Sequence, residues 1–527
     1  MSAETPLIDI RPDHWEIVQR ILQEYVPNLE VWAFGSRAKW SAKEFSDLDL
    51  AIITDEPLPL DTSAALSEAF SESDLPWKVD VVDWASVGDE LKKVITRDKV
   101  VLKNGDGLVK GKGWKECFLG DVVELKRGYD LPHKKRLRGN VPLISSSGIT
   151  DFHSIPMVKG PGVVTGRYGT LGQVFFVDED FWPLNTTLYV RDFKGNDPRF
   201  VAYFLRSIDF LSYSDKAAVP GINRNHLHRA SIKIPTSLEE QRAIARILGT
   251  LDDKIELNRK QNETLEAMAR TMFKAWFVDF EPVRAKMEGR WKRGQSLPGM
   301  PAHLYDLFPD RMVESEFGEI PDGWHVLSFE DVASQQKEVV KPEDFPNDMF
   351  FHYSIPAFDA GKMPVCELGG SIRSNKSVVH DGVVLISKLN PHIPRVWNIG
   401  EAGVSAVCST EFTVWEAKEP ANGAFLYCLA SLDVFNEALC QLVTGTSNSH
   451  QRVKPEQFKG IRVFSAVEDL ISGFSMAAAA ILESTYKRRI ESADLSRIRD
   501  VLLPKLVSGE LRISEAERFL DKRGVWL

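Results

Sequence analysis

The chain contains an internal duplication, and this feature constrains its fold more than any other. One repeat opens at Gly113 with GWKECFLGDVVEL and the other opens at Gly323 with GWHVLSFEDVASQ. Each continues through a glycine followed by two valines, at Gly162 and at Gly382, and then through a polar loop that leads into a β-prone run. Because the unit is far longer than a solenoid repeat, the sequence predicts a duplicated α+β domain, each copy followed by a long helix.

Two proline-free helical patterns close the repeats, from about Ser237 to Phe280 and from about Val467 to Val501. Their apolar positions alternate by four and three residues, which is typical of a coiled-coil seam. The seam positions are Ile244, Leu248, Leu251, Ile255, Asn258, Asn262, Leu265, Ala269, Met272 and Trp276 in the first helix, and Leu470, Phe474, Ala477, Ile481, Ser484, Arg488, Glu491, Leu495, Ile498 and Leu502 in the second. Both seams are polar in the middle, so we predict that the helices pack against each other. Two unrelated helices in larger cores are the alternative.

The residues before the duplication form a separate small α/β unit. Short β-prone runs at Glu30–Phe34, Leu48–Thr54 and Lys78–Trp84 alternate with helical patterns at His14–Tyr25 and Thr62–Phe70. A glycine-rich stretch follows, and we interpret residues 105–112 as a linker.

The run FGSRAKWSAKEFSDLDLAIIT, from Phe34 to Thr54, carries groups suited to phosphates and metals. Gly35 and Ser36 lie where a strand enters a helix, so they offer backbone N–H groups and a hydroxyl to phosphate oxygens. Asp47 and Asp49 are two residues apart on a strand and point to the same face, where they could hold two Mg²⁺ ions.

Asp80, on a neighbouring predicted strand, is the candidate for a third carboxylate. Asp83 competes for this role, but strand alternation places Asp80 and Val82 on one face and Asp83 on the other. The alternative is that the Asp47–Asp49 pair merely ends a strand near a turn.

These motifs resemble the minimal nucleotidyltransferases of the polymerase-β type, over residues 1–104. The resemblance implies that Gly35, Ser36 and Arg37 bind a nucleoside triphosphate and that Asp47, Asp49 and Asp80 are catalytic and bind Mg²⁺. The glycine that this family usually has shortly after G-S-R is replaced by Lys39-Trp40. The resemblance does not decide whether the domain turns over nucleotide or is an inert module.

Charge is distributed unevenly along the chain. The net charge is −10, and residues 1–103 hold 20 Asp and Glu against 11 Lys and Arg, which is −9 and leaves −1 for the rest. DNA binding needs a basic face rather than a basic protein, so composition leaves it open.

Composition also bears on the cellular location. No apolar run approaches the roughly 18–20 residues that cross a bilayer, and the first residues lack a signal-peptide pattern, so we expect a cytoplasmic protein. The five cysteines are scattered without a C-x-x-C pair, which argues against a disulfide framework and a structural zinc site.

The duplicated region resembles the DNA-specificity (S) subunit of type I restriction–modification systems. The matching runs are SEFGEIPDGW at Ser315, GTSNSHQRV at Gly445, EEQRAIARIL at Glu239 and LLPKLVSGEL at Leu502. The resemblance implies two target-recognition domains separated by two helices in an antiparallel coiled coil, and an α/β multidomain fold as a whole.

The resemblance also divides the chain. The expected segments are a nucleotidyltransferase-like domain at 1–104, the linker at 105–112, recognition domain 1 at 113–236, spacer helix 1 at 237–281, a connector at 282–322, recognition domain 2 at 323–466, spacer helix 2 at 467–511 and a tail at 512–527.

We expect the repeats to bind double-stranded DNA through polar and basic side chains, without a cofactor, because bases and phosphates are contacted by such groups. The candidates are Arg127, Lys134, Lys135, Arg136, Arg138, Arg167, Tyr168, Asn223 and Arg224 in the first repeat, and Arg373, Asn375, Lys376, Lys388, Asn390, Arg395, Asn448, His450 and Arg452 in the second. Solvated loop charges are the alternative for each.

Three functions are compatible with the sequence. The chain is a specificity subunit that reads a two-part DNA target and directs two methyltransferase (M) subunits and restriction/translocase (R) subunits, as the resemblance implies. Alternatively, the first domain is the primary activity, transferring AMP or another nucleotide to a protein or RNA, and the repeats target it. In the third, the first domain only binds a partner or nucleotide and regulates assembly.

Overall fold

The computed structural model describes residues 7–43, 46–54, 56–104, 107–108, 114–213, 221–316, 318–443 and 451–524. The chain forms two compact units. One comprises Met1–Leu251 with Ile498–Leu527, and the other comprises Asp252–Arg497. The first unit holds the N-terminal domain, here called the head, together with the first repeat, and the second unit holds the second repeat.

The head is a five-stranded sheet with helices on both faces. Its elements are α1 (Pro12–Tyr25), β1 (Glu30–Phe34), α2 (Gly35–Ala38), β2 (Leu48–Ile53), α3 (Leu60–Ser71), β3 (Val79–Asp83), α4 (Asp89–Asp98), β4 (Val100–Asn104) and β5 (Gly107–Leu108). The strand order is β3-β2-β1-β4-β5, with β2 and β3 parallel and the other pairs antiparallel. The described part of the predicted linker therefore belongs to this sheet as β5.

Strand alternation gives the head two cores. On one face, Trp15 of α1 and Leu66 of α3 are buried with Leu50. On the other, Ile95 of α4 is buried with Ala51. Neighbouring residues of β2 thus point to opposite faces, which is the geometry that the sequence pattern predicts.

The first repeat contains two main sheets and a two-stranded pair. Its elements are β6 (Trp114–Phe118), α5 (Leu119–Val122), β7 (Glu124–Arg127), β8 (Val141–Ser145), β9 (Gly148–His153), β10 (Gly162–Gly166), β11 (Val174–Val177), β12 (Trp182–Pro183), β13 (Thr187–Asp192), α6 (Pro198–Arg206), α7 (Arg224–His228) and β14 (Ser231–Pro235). The sheets are β11-β10-β13-β7, β12-β8-β9 and β14-β6.

A long helix and a connector follow: α8 (Leu238–Phe277), α9 (Glu281–Met287), β15 (Met312–Ser315) and β16 (Gly318–Pro321). The second repeat consists of β17 (His325–Ser328), α10 (Phe329–Val332), β18 (Ala333–Gln336), β19 (Val339–Val340), β20 (Met349–Tyr353), α11 (Ile355–Asp359), β21 (Val365–Leu368), β22 (Lys376–Val378), β23 (Val384–Ser387), β24 (Val396–Asn398), β25 (Ala406–Cys408), β26 (Phe412–Ala417), α12 (Gly423–Ala430), α13 (Asp433–Gln441), α14 (Pro455–Phe458) and β27 (Arg462–Ser465). The chain ends with α15 (Glu468–Ser508) and α16 (Ile513–Asp521).

The two repeats share their sheet topology. The second repeat has a four-stranded sheet in the order β24-β23-β26-β18, which matches β11-β10-β13-β7 strand for strand. The glycine-valine-valine runs of the sequence account for this match, because they lie in and beside the buried inner strands β10 and β23. In its second sheet, β25-β20-β21 reproduces β12-β8-β9, with one parallel and one antiparallel pair in each. The second repeat extends this sheet by two strands, β22 and β19.

The ends of the long helices differ from the predicted ones. The first helix stops at Phe277 rather than Phe280, and Phe280 has a left-handed backbone with φ 55°. The second continues past Val501 and through Pro504 to Ser508. The buried side chains of Leu506 and Val507 hold this last turn in place.

In the second unit, the two long helices contact each other and run in opposite directions. Asn258 Nδ2 donates to Glu491 Oε2 at 2.8 Å, and Gln261 Oε1 accepts from Arg488 Nε at 2.9 Å. Residue numbers therefore rise along one helix and fall along the other. Three of the polar positions in the predicted seams take part in these contacts.

A buried ionic cluster fixes the second repeat to α8. The carboxylate of Glu266 accepts from Lys362 Nζ and from the Tyr427 hydroxyl, both at 2.8 Å, and is paired with Arg489 of α15. Burial alone would raise the pKa of Glu266, but Lys362 and Arg489 outweigh it and hold the pKa below its usual range.

Among the described residues, no single helix is both long and apolar enough to cross a membrane. The bent pair α12 and α13 passes that test only jointly, at an angle of 64°. Both helices contribute buried side chains to the core of the second repeat.

Candidate functional site

The aspartates predicted to be catalytic lie at one end of the head sheet. Asp49 is paired with Asp80 across the parallel strands β2 and β3, and with Phe34 across β1. Alternation places Asp49 on the same face as Ala51, which is the face covered by α4. The sheet register thus brings the two predicted carboxylates together.

Gly35 touches Asp49 directly. Its φ is +77°, and a side chain there would overlap with Asp49 Oδ2. Only glycine meets both requirements, the left-handed backbone and the close approach. The start of α2 is therefore held against the carboxylate of Asp49.

Like charges dominate the electrostatics of this group. Burial raises the pKa of Asp49, and the negative charges of Asp80 and Asp47 raise it further. Crowded carboxylate oxygens are the donor set that Mg²⁺ prefers, so the chemistry of the site fits this ion. The fit is incomplete in geometry, because Asp80 Oδ1 is paired with Lys78 Nζ at 2.5 Å. Within the described ranges, no three His, Cys, Asp or Glu side chains converge on a common metal position.

Arg37, predicted to bind nucleotide, is instead placed inside the domain. Its side chain is 5% exposed, Nε donates to Ser46 O at 2.9 Å, and Nη1 donates to Asp9 O at 2.7 Å. The guanidinium also lies 4.2 Å from the ring centroid of Trp77. The structure thus gives Arg37 the role of supporting the loop after α2, whereas Ser36 remains half-buried beside Gly35.

Asp83 has a structural role. It caps a short 3₁₀ turn and accepts from Thr54 Oγ1 at 2.5 Å and from Leu58 N at 2.8 Å. Burial works against its charge, but these hydrogen bonds prevail and lower its pKa. Because the oxygens of Asp83 are engaged in these hydrogen bonds, Asp80 remains the candidate for the third catalytic carboxylate.

Trp40 is one of the two residues, with Lys39, that replace the glycine expected from the nucleotidyltransferase resemblance. Its backbone is left-handed, with φ 56°, a conformation that glycine adopts without strain. The guanidinium of Arg512, which precedes α16, lies 3.8 Å from the Trp40 ring centroid. Sequence reasoning missed this contact between the head and the tail, and no local pattern signals it.

A second site is a basic cavity of about 620 Å³ in the first repeat. Five predicted DNA-binding residues line it, namely Arg127, Arg167, Tyr168, Asn223 and Arg224. Sequence reasoning missed three of its other lining residues, Lys126, Tyr129 and Asp130, although all three lie within three residues of Arg127 in the sequence.

The cavity wall is built where β10 ends. Tyr168 forms a β-bridge with Gly221, and Ile222 N donates to Arg167 O at 3.0 Å. A side chain at Gly221 would overlap with the Tyr168 ring, so glycine is needed for this contact. Asn223 caps α7 by accepting from Asn225 N at 3.0 Å.

The remaining first-repeat candidates are not among the residues that line the cavity. Lys134, Lys135 and Arg138 are exposed. Arg136 is paired with Asp151 at 2.9 Å, and its side chain is 14% exposed. This pairing makes Arg136 a poor candidate for a DNA contact.

In the second repeat, Lys388, Asn390 and Arg452 are brought together at the end of β23. Leu389 forms a β-bridge with Arg452, and Asn390 Oδ1 accepts from Gln451 N at 3.2 Å. This arrangement follows β23 as the Tyr168–Gly221 bridge follows β10. Arg452 is paired with Glu411 at 2.7 Å.

Other second-repeat candidates are placed differently. Lys376 is 8% exposed and donates to Ser374 Oγ at 2.5 Å. Arg395 is 12% exposed and makes a two-bond pair with Asp359. Arg373 and Asn375 are exposed, and Asn448 and His450 lie outside the described residues. Because they are buried and paired, Lys376 and Arg395 are poor candidates for contacts with DNA.

Comparisons with known proteins agree with this division. Residues 16–107 match the family model for polymerase beta nucleotidyltransferases, and residues 111–267 match that of the type I restriction modification DNA specificity domain. A probable protein adenylyltransferase, MntA of Haemophilus influenzae, is 49% identical over 102 residues, which is 19% of this chain and 90% of MntA.

The specificity subunit of the type I restriction enzyme HindI, also from H. influenzae, is 27% identical to this chain. The match covers 76% of this chain and 99% of the HindI subunit. The specificity subunit of the type I restriction enzyme MjaIX from Methanocaldococcus jannaschii is 25% identical, and the match covers 77% of this chain and 95% of the MjaIX subunit. The chain thus carries a polymerase beta nucleotidyltransferase domain followed by a type I restriction modification DNA specificity domain.

The specificity family model spans residues 111–267, which include the first repeat and most of α8. The second repeat has the same order of strands in its four-stranded sheet. The HindI and MjaIX subunits each match about three quarters of the chain.

Proposed function

We propose that this specificity subunit recognises a two-part DNA target, one part by each repeat, and directs M and R subunits to it. The carrying observation is that equivalent inner strands, β10 and β23, each lead into a polar or basic edge. In the first repeat this edge is Arg167 and Tyr168, and in the second it is Lys388 and Asn390.

The chemistry of the two edges supports base and phosphate contacts. Arginine, lysine and asparagine donate to the groove edges of bases and to phosphate oxygens. The two edges differ in side chains, so the two halves of the target should differ in sequence.

The long helices support an unread gap between the two halves. A helix of 40 residues, such as α8, is about 60 Å long, nearly two turns of DNA at about 34 Å per turn. We propose that the two helices form an antiparallel coiled-coil spacer, and that two M subunits dock on it.

The test is a base-modification map of the host genome with and without the gene. We expect methylation at one gapped, two-part motif to disappear when the gene is deleted and to return when it is restored. An unchanged map would contradict the specificity role in methylation.

We further propose that the head transfers a nucleotide, with AMP as the first candidate because the 49% identical relative is a probable protein adenylyltransferase. The contact between Gly35 and Asp49 supports this proposal, because it places the start of α2 beside the carboxylates. Asp47, Asp49 and Asp80 would hold Mg²⁺, which when bound would neutralise the triphosphate and activate the acceptor hydroxyl.

In this reaction the acceptor hydroxyl oxygen forms a bond to the α-phosphorus, and the bond from that phosphorus to the leaving pyrophosphate breaks. The hydroxyl proton passes to a carboxylate or to solvent.

The head is tested with labelled ATP and Mg²⁺ or Mn²⁺ on the full chain. Asp47→Asn and Asp49→Asn should abolish label transfer, whereas Asp74→Asn, an exposed aspartate in the same domain, should preserve it. If the wild-type chain transfers no label from any nucleoside triphosphate, the transferase proposal fails. The DNA proposal is unaffected by that result.

A further inference from the structure

We infer that Asp130 reads an exocyclic amino group of a base, the N4 amino group of cytosine or the N6 amino group of adenine, in the half of the target bound by the first repeat. This inference rests on the proposed DNA-specificity function and identifies one acceptor within it. The observation behind it is an unneutralised carboxylate in a cavity whose other charged lining residues are all cations.

The negative charge of Asp130 is opposite to that of the other charged residues around it. It lines the basic cavity together with Lys126, Arg127, Arg167 and Arg224. A carboxylate repels DNA phosphates, so it weakens non-specific binding at this surface. Its presence there is explained if it accepts a hydrogen bond from a base.

The loop that carries Asp130 is held rigidly. A side chain at Gly128 would overlap with the backbone carbonyls of Pro183 and Leu184, so the two segments approach closely. Tyr129 N donates to Pro183 O at 2.8 Å, and the Tyr129 hydroxyl is 2.9 Å from that of Tyr189. Preorganisation of this kind favours selective readout.

Asn185 orients the carboxylate without neutralising it. Asn185 Nδ2 donates to Asp130 Oδ1. Among the described residues, no hydrogen bond or ion pair engages Oδ2. Asp130 is also exposed, so Oδ2 is accessible to a ligand.

Glu411 of the second repeat, beside the edge residue Arg452, is an example of a neutralised carboxylate. Both oxygens of Glu411 accept from Arg452, at 3.1 and 2.7 Å. Each oxygen of Glu411 is therefore engaged by a cation, whereas Asp130 Oδ2 is not.

The free acceptor restricts the bases that fit. In the major groove, cytosine N4 and adenine N6 are the amino donors, and an aspartate can accept from them. Guanine O6 and N7 and thymine O4 are acceptors and would be repelled by Asp130.

The test uses Asp130→Asn in the complete complex with its M subunits, read out by a methylation map and by competition between DNA duplexes. Asparagine can still accept from Asn185 but replaces the free oxygen with a donor. We expect one base position of one half-site to lose its preference for cytosine or adenine by about 5- to 150-fold, the range for one mismatched pair. Affinity for non-specific DNA should rise.

Two further variants make the result decisive. Asp178→Asn removes the same charge from an exposed residue of the first repeat that does not line the basic cavity, and it should leave the motif unchanged. Asn185→Ala keeps the carboxylate but removes its anchor, and it should weaken discrimination at the same position even if Asp130→Asn impairs folding.

An unchanged preference at every position in both Asp130→Asn and Asn185→Ala, with a gapped motif still methylated, would overturn the inference and leave the specificity function standing. Absence of any gapped motif with the wild-type chain would instead contradict the proposed function itself.

Discussion

The two repeats share one scaffold but differ in how they are fixed to α8 and in what they present at their edges. The first repeat is held by Gln241, which accepts from Asp197 N at 2.9 Å and donates to Asn196 Oδ1 and to Pro235 O. The second is held by the buried ionic cluster of Glu266. A neutral amide thus attaches the first repeat to α8, and a charged network attaches the second.

The edges of the two repeats also differ in their side chains. The β-bridge that follows the inner strand joins Tyr168 to Gly221 in the first repeat and Leu389 to Arg452 in the second. Buried strands retain the scaffold, while bridge residues are free to differ. This separation explains how a duplicated domain can acquire two different binding specificities.

The largest effect is expected from Glu266→Ala. This change leaves Lys362, Arg489 and Tyr427 without their shared acceptor, and breaking a buried ion pair costs about 3–5 kcal/mol. Hydrogen exchange should show loss of protection in the second unit. Glu263→Ala on the same helix removes a 62% exposed carboxylate and should change little. Equal effects of the two would contradict the importance of the cluster.

Gln241→Ala should destabilise the first repeat less, by about 1–3 kcal/mol, because it leaves neutral buried groups unsatisfied. Denaturant unfolding followed by hydrogen exchange locates the loss to the first unit. Combining it with Asn196→Ala should cost less than the sum of the two single changes. Strict additivity would show that the two side chains do not act together.

Gly221→Arg places the residue of the second repeat in the first. Because any side chain there overlaps with the Tyr168 ring, we expect a loss of about 1–3 kcal/mol from overpacking. Adding Tyr168→Leu, which completes the second repeat's pair, should recover part of that loss in a melting experiment. No recovery would show that the two bridges are not interchangeable.

The smallest difference should appear in the pH dependence of stability. The pKa of Glu266 is lowered in the folded state, so its contribution is present above its unfolded pKa of about 4.3 and is lost as the pH falls through the folded value. Gln241 does not titrate. Mild acid should therefore reduce protection in the second unit before the first repeat, as hydrogen exchange can measure, and Glu266→Gln should flatten that response.

Much of this organisation could be predicted from the sequence, because it depends on local periodicity. Strands β1, β2 and β3 of the head and the two long helices follow from apolar spacing, whereas β4 and β5 were not predicted. The duplication follows from recurring glycine motifs, and Asp49 and Asp80 are paired in the register of β2 and β3. The predicted end of the second long helix, Val501, was wrong, because the buried residues Leu506 and Val507 hold a further turn beyond Pro504.

The rest depends on contacts between residues far apart in the chain. Arg37, Arg136, Lys376 and Arg395 look like available cations in the sequence, but carbonyls, carboxylates or a hydroxyl engage them in the fold. Asp130 meets Asn185, and Trp40 meets Arg512, without any local signal. Sequence patterns identify residue types suited to a site, and tertiary pairing decides which of them remain free.

The most direct test of the account is the methylation motif written by the complex when each edge is changed separately. Arg167→Ala should alter or relax bases in only one half of a gapped motif, and Lys388→Ala should do so only in the other half, with the gap length unchanged. If both variants change the same half, or if the wild-type complex writes no gapped motif, the claim that each repeat reads one half of the target is contradicted.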